Sequence, residues 1–316
     1  MAAALISLPL VVVDAFASAA FRGNPAAVVD FGGEAFLSDD VLQAVAREVN
    51  LAETAFVRRV DGAAPRFHLR WFTPESEINL CGHATLATAH ALFASGAAPA
   101  SDGAVLTFES RSGPLTVTRL PGGDLELDFP SWPPAEVAVA ELPAALLEAF
   151  GLARADILWA GRNRDVTLVL RSPAAVAAAR VDLRALDRVE GATVVILAAA
   201  GDGAHHLPAA NGPAPDFVSR AFCPGCAAVP EDPVCGSAHC SLIPVFAARL
   251  GRAEMLAHQL SRRGGELRCR LFSGGGGGGG GAGAAGGDRV KIAGSAVTFL
   301  EGRIRVPAAL GGAPKA

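Results

Sequence analysis

The sequence predicts a mixed α/β (α+β) protein made of two similar halves, and three observations carry that reading. The 316 residues suffice for two ordinary cores at roughly 150 residues per domain. A set of residues recurs, in the same order, about one domain length further along the chain. Several strand-like segments also follow one another without intervening helices, which argues against a doubly wound parallel sheet.

The recurrence comes first. Arg70, Phe72, Pro74, Cys81-Gly82 and Ala84 are echoed by Arg220, Phe222, Pro224, Cys235-Gly236 and Ala238. The arginines stand 220 − 70 = 150 positions apart and the cysteines 235 − 81 = 154, so the second copy carries four more residues before its cysteine. Phe67, Leu69 and Trp71 alternate with His68 and Arg70, the period-two pattern of a strand, and Asp216 to Phe222 repeats it. Helix formers follow each cysteine: Ala84, Leu86, Ala87, His90 and Ala91 up to Gly96, then Ala238, Leu242, Val245 and Phe246 up to Gly251. Glycine just past a helix is the expected stop. Each copy therefore reads as strand, loop, Cys-Gly and helix, with the cysteine at the helix start.

The remaining elements fall in order around these two units. Ser38-Asp39-Asp40 is placed to cap a helix whose apolar stripe is Val41, Leu42, Val45, Ala46 and Val49. Segments 53–57, 105–109, 115–118 and 125–129 read as strands. The cluster Pro130, Pro133 and Pro134 reads as a linker. It places an N-terminal domain at 1–130 and a C-terminal domain at 131–299, with a strand near 300–316 expected to pack back on the first. Gly274 to Gly281 lie between strand-like 267–272 and 289–292. No Gly-Lys-Ser/Thr follows, so 273–287 reads as a glycine-rich hairpin insertion rather than a phosphate loop.

Composition narrows the partners. A net charge of −4 and a sequence pI near 6.0 lack the basic excess that a nucleic-acid partner requires, which leaves a small molecule. Hydrophobic residues make up 51%, yet the apolar run from Leu5 meets Asp14, short of the roughly 20 residues a membrane span needs. No Lys or Arg precedes that run, as a signal peptide would require, so a soluble, cytoplasmic protein is expected. Six irregularly spaced cysteines fit reduced thiols better than a disulfide framework.

The paired cysteines carry the chemistry. A helix start offers unsatisfied N–H groups and about half a positive charge, so it binds carboxylates and lowers a thiol pKa. Two such thiols flanking one carbon can remove its proton from one face and return one to the other, provided the thiol pKa drops from about 8.5 toward 7. The helix donors then stabilise the enediolate-like charge. No metal and no organic cofactor is required. An isolated cysteine more often acts as a small buried hydrophobe, and Cys223, Cys226, Cys240 and Cys269, without repeat partners, take that structural reading. A zinc site from Cys223, Cys226, Cys235, His239 and Cys240 competes, but Cys235 and Cys240 are badly spaced and the first copy has no counterpart. Cys223-Pro-Gly-Cys226 does not open a helix after a βαβ strand, which discounts a redox motif.

Four polar residues flank the motifs. His83 and Ser237 share one repeat slot, where either binds a carboxylate or caps the helix. Asp232 orients an ammonium group or simply makes a turn. Glu53 opens a predicted strand, where pattern alone favours a solvated charge.

These residues lie in longer motifs: Asp14-Ala15-Phe16, Phe21-Arg22-Gly23-Asn24-Pro25, Asn50-Leu51-Ala52-Glu53-Thr54, Arg70-Trp71-Phe72-Thr73-Pro74, Leu80-Cys81-Gly82-His83-Ala84, Glu231-Asp232-Pro233-Val234-Cys235-Gly236-Ser237 and Gln259-Leu260-Ser261-Arg262-Arg263-Gly264-Gly265. In them the sequence resembles the phenazine biosynthesis-like protein family, relatives in fold of diaminopimelate epimerase and proline racemase. The resemblance implies two pseudo-symmetric domains, each a barrel-like mixed sheet around a central helix, with the site in the cleft between them. It implies Glu53 as the proton-shuttling acid/base, with His83 and Asp232 beside it and Asn24, Gly82, Gly236 and Ser237 as substrate contacts. It is compatible with a homodimer. Many members resemble one another in having threonine where Cys235 stands, whereas the epimerase and racemase relatives keep both cysteines.

Three readings follow. The leading one is a racemase or epimerase, independent of pyridoxal phosphate, that moves a proton beside the carboxylate of an amino acid, using Glu53, the Cys81/Cys235 pair, or both. The second is a glutamate-centred isomerase of a cyclic, unsaturated carboxylate. The third is a binding or scaffold protein that has lost catalysis.

Overall fold

A computed structural model describes residues 5–60, 62, 65–207, 213–225, 229–272 and 288–308. Strands predominate. The first half carries β1 (Leu5–Ala15), β2 (Asn24–Asp30), β3 (Glu53–Arg59), β4 (Arg66–Phe72), β5 (Glu77–Ile78), β6 (Val105–Ser110), β7 (Gly113–Arg119) and β8 (Leu125–Pro130), with helices α1 (Asp39–Val49) and α2 (Gly82–Ala94). The second carries β9 (Ala135–Val137), β10 (Ile157–Arg162), β11 (Val166–Leu170), β12 (Val195–Ala200), β13 (Phe217–Phe222), β14 (Glu231–Asp232), β15 (Glu254–Gln259), β16 (Gly265–Phe272) and β17 (Arg289–Gly294). Its helices are α3 (Ala144–Phe150), α4 (Pro173–Ala178), α5 (Leu183–Leu186) and α6 (Gly236–Leu250), and the last strand is β18 (Ala296–Pro307).

Hydrogen-bonded neighbours run β18, β1, β2, β3, β4, β6, β7, β8 through the first half. Through the second they run β17, β16, β15, β13, β12, β11, β10, β9. The two-residue β5 and β14 pair with β4 and β13. Counted outward from the antiparallel β8 and β17, the two halves have the same order, and parallel pairs fall at equivalent places: β2 with β3 and β4 with β6, β11 with β12 and β13 with β15. The internal repeat is thus a pseudo-twofold of the whole fold. Unlike two separately closed sheets, the halves share one continuous sheet, because β8 and β17 pair along their full length. β18 occupies in the first half the outer position that β9 holds in the second.

Each half curls around its own helix. Residues Gly82 to Ala89 of α2 are all buried, and the helix touches β1, β2, β3, β8 and β18. A helix without a polar face is stable only when enclosed, so the near-continuous Ala, Leu and Thr of this segment make it central rather than peripheral. The Thr88 hydroxyl disposes of its polarity by donating to the Ala84 carbonyl at 2.7 Å. In the second half α6 plays this part against β12, β16 and β17. Pro244 lies inside it and cannot donate to the carbonyl four residues back. That carbonyl, of Cys240, instead accepts from the Trp132 N–H at 2.9 Å, which ties the segment between the halves to the central helix.

Helix α1 begins at Ser38 as expected, but the serine side chain makes no capping bond; Asp39 and Asp40 in the first turn meet the helix dipole instead. Gly251 ends α6 in the left-handed conformation, and Gly96, with φ +75°, turns the chain just after α2. The glycine run 274–281 lies outside the described residues. Among the described residues no helix is long and apolar enough to cross a membrane.

Candidate active site

Cys81 and Cys235 occupy the N-cap positions of α2 and α6. The helix starts meet glycine to glycine: a Cβ placed on Gly236 would come within 3.5 Å of the Gly82 Cα. Neither helix has a side-chain cap hydrogen bond, so both sets of first-turn N–H groups open toward the same space. That space is a cavity of about 100 Å³, lined by Glu53, Cys81, His83, Asp232, Cys235 and Ser237, with Phe129 as an apolar wall. The structure brings together every residue the sequence proposed for the site, since Asn24 stands against His83 and Asp232 at its edge.

Each half contributes an equivalent set. His83 Nδ1 lies 3.5 Å from Cys81 Sγ, and in the matching slot Ser237 Oγ lies 3.4 Å from Cys235 Sγ. The first half adds a carboxylate. Glu53, at the start of β3, places Oε2 3.0 Å from His83 Nε2, close but out of line for a full hydrogen bond. The Asn24 Nδ2 lies 3.0 Å from His83 Nδ1 and donates to Asp232 Oδ1 at 2.9 Å and to the Val234 carbonyl at 3.2 Å. Asn24 therefore bridges the two halves and orients the imidazole.

Electrostatics distinguishes the groups. Burial pulls the His83 pKa down, but the adjoining Cys81 sulfur and Glu53 carboxylate outweigh it and raise it well above the ordinary imidazole value. Both thiols move opposite to the expectation from their helix starts. Burial pushes Cys81 up and the Glu53 charge adds to it, against which His83 and the Ala84 N–H act only in part. Burial and the Asp232 charge push Cys235 well up, against Ser237 and the Ala238 N–H. The helix-start N–H groups do lower both thiols, but desolvation of residues only 7% and 4% exposed outweighs them. Asp232 is likewise raised, by burial first, with His83 lowering and Glu53 raising it. Burial thus works against the thiolate form at both cysteines, more strongly at Cys235 than at Cys81.

Among the described residues the zinc alternative does not assemble. His239 Nδ1 is 2.8 Å from the Cys235 carbonyl and the Cys240 thiol turns to the Gly236 carbonyl, so both serve their own helix; Cys226 lies outside the described residues. Burial pushes Cys240 up to about 12 and holds Cys269 still higher, in keeping with structural roles. Among the described residues, Glu53, Cys81 and His83 form the one trio of ligand-type side chains close enough to share an ion.

Two contributors escaped the sequence reading. Gln259, fully buried, accepts from the Cys235 N–H at 2.9 Å and donates to the Asp232 carbonyl at 2.6 Å, fixing the loop before α6. Arg263 reaches across the halves to Asp14 Oδ1 at 2.7 Å and to the Gly23 and Arg22 carbonyls at 2.8 and 2.9 Å. It anchors the turn that delivers Asn24. Both sit in motifs that were conspicuous, but nothing in residue type told positioning from packing. The repeated arginines are also structural: Arg70 forks onto Glu77 and Arg220 onto Glu231, each through Nε and Nη2 to both carboxylate oxygens.

Fold and cleft together define a two-lobed α+β protein whose acid–base groups converge where two equivalent helices begin. The family described as phenazine biosynthesis-like protein matches residues 13–302, and the chain belongs to that family. A Pseudomonas aeruginosa protein named as an uncharacterized isomerase is 45% identical over 295 residues, covering 93% of this chain and 97% of its own. A crystal structure from Enterococcus faecalis, described as a phenazine biosynthesis protein, superposes with a TM-score of 0.78 at 38% identity, over 95% of this chain and 99% of that one. More distantly, a hydroxyproline epimerase from Agrobacterium vitis shares the fold, with a TM-score of 0.55 at 12% identity, over 95% of this chain and 93% of that one.

Proposed function

We propose that the protein is an isomerase that moves a proton at the carbon beside the carboxylate of an amino acid, with Glu53 as the base. The observation that carries this reading is the convergence of two uncapped helix starts on one cavity that also holds Glu53, His83 and two buried thiols. The substrate carboxylate sits against the first-turn N–H groups of Gly82, His83, Gly236 and Ser237, where helix dipoles favour an anion. Glu53 takes the α-proton, and His83 holds or passes it through Nε2. As charge spreads onto the carboxylate, the same N–H groups stabilise the enediolate-like state without reorganising. Cys235, on the opposite half and kept neutral by burial, returns a proton to the other face. One half thus supplies the base and the other the acid; the relative named as an uncharacterized isomerase supports the class of reaction.

The test follows α-deuterium incorporation and loss of optical rotation for L-amino acids in deuterated water. Glu53→Gln is expected to lose both by about 10²- to 10⁴-fold. Cys235→Ser is expected to lose racemisation while retaining exchange of the L isomer, because Glu53 still removes and returns a proton on its own face. A variant Glu53→Gln that keeps both activities, with Cys81→Ser and Cys235→Ser inactive, would instead establish the thiol pair as the bases. Exchange confined to a cyclic, unsaturated acid would favour the second isomerase reading. Binding that survives alanine at Glu53, Cys81, His83, Asp232 and Cys235, without turnover of any acid, would leave a binding protein.

A further inference from the structure

Beyond the inner cavity lies a second one, of about 170 Å³, and Glu53 and Asp232 line both. The two chambers therefore meet at the acid–base groups. The walls of the outer chamber are the loops that follow β4 and β13, Thr73 to Glu75 on one side and Cys223 to Gly225 on the other, which are equivalent in the repeat. Ala52, Val229 and Pro233 add apolar surface.

Its charge is one-sided. Glu53, Asp232 and Glu75 line the chamber, and among the described lining residues there is no Lys, Arg or His. The arginines of the adjoining strands are unavailable: Arg70 is held by Glu77 and Asp39, and Arg220 by Glu231 and the carbonyls of Val176 and Ala179. The pseudo-twofold is also broken here, since an exposed glutamate, Glu75, stands where the second half has Gly225.

We propose that the outer chamber receives the substrate's side chain, and that its walls select a monocarboxylic amino acid whose side chain is apolar and ends neutral or cationic, with Glu75 reading the cation. This rests on the reading that the substrate's α-carboxylate occupies the inner chamber. A second carboxylate would enter a chamber that offers it three carboxylates, of which Glu53 and Asp232 already share His83 at the inner end, while Glu75 has no basic partner among the described residues. At an effective dielectric of about 20, one like charge roughly 6 Å away already disfavours binding on the order of a hundredfold.

The experiment uses three six-carbon amino acids that differ only at the tip: L-norleucine, L-lysine and L-2-aminoadipate. Binding is read by thermal shift of the intact protein and turnover by deuterium incorporation at Cα. Norleucine and lysine are expected to bind and exchange, with 2-aminoadipate on the order of a hundredfold weaker. Glu75→Gln lowers the lysine-to-norleucine preference about fivefold, and Glu75→Arg shifts preference from lysine toward 2-aminoadipate. Equal binding of all three, no binding of any, or an unchanged preference in both variants overturns the proposal. If binding ranks as expected while nothing exchanges, the chamber assignment stands and the proton-transfer reading falls. If all three exchange equally well, the reverse holds.

Discussion

Replacing Arg263 with methionine tests how the two halves hold the site in register. The guanidinium makes three contacts across the halves, to Asp14 Oδ1 and to the Gly23 and Arg22 carbonyls. Asp14 has a side chain only 3% exposed, whereas Arg263 is 31% exposed. Methionine keeps the length of the stem but leaves a buried carboxylate with one remaining donor, the Phe21 N–H at 2.8 Å. Stranding one member of a buried pair costs about 3–5 kcal/mol. Water entering beside the partly open arginine position offsets some of this, so about 3 kcal/mol is expected. Asp14→Asn removes the charge instead of stranding it, so the double variant should be less destabilised than the sum of the singles, by about 2 kcal/mol. Urea titration followed by tryptophan fluorescence measures all four proteins. The site should respond as well, because Gly23, which Arg263 holds, has φ +62° with no room for a Cβ beside the Ala15 carbonyl, and it directly precedes Asn24. An Arg263→Met cost below about 0.5 kcal/mol, or additive singles, would refute the reasoning.

Two further perturbations follow from the packing. Burial holds His239 and His258 near pKa 4, below the ordinary 6.5. Between those values the unfolded chain binds the proton and the fold does not, so stability falls as pH drops from 6.5 toward 4, by at most about 1.4 kcal/mol per pH unit per histidine. Urea midpoints across that range should show the slope, and His258→Gln should reduce it; a flat wild-type profile would contradict the assignment. At the meeting of the helix starts, Gly82→Ala sets its methyl 3.1 Å from the Phe129 ring, whereas Gly236→Ala meets nothing nearer than the Gly82 Cα at 3.5 Å. The first should cost about 1 kcal/mol and the second less than half of that. The opposite ranking in urea titrations would show that the two starts are not packed as described.

What the sequence made legible was what repeats or alternates. The echo of Arg70 to Ala84 in Arg220 to Ala238 located both central helices and both thiols, and the alternation through Trp71 marked β4. Three things did not follow. The pairing of β8 with β17 joins segments too far apart for a local pattern to announce. The sign of the thiol shifts depends on burial by the opposite half, which helix-start logic cannot see. Arg70 and Arg220 were conspicuous as repeat members, but their use lies in glutamates on the short strands β5 and β14, each no more than two residues long. Glu53 shows both sides: pattern alone made it a solvated charge, family resemblance made it a base, and only the fold sets it beside His83.

The placement of β18 bears on how the molecule is made. During synthesis the first half emerges early, yet its outer strand is among the last described segments to leave the ribosome, after the whole of the second half. Until then β1 has β2 on one side and an open edge on the other, the kind of edge that recruits foreign strands. The half that holds Glu53 therefore completes its sheet after the half that holds Cys235. Released chains that end at residue 294 should carry a second-half lobe that resists protease and a first-half lobe that does not.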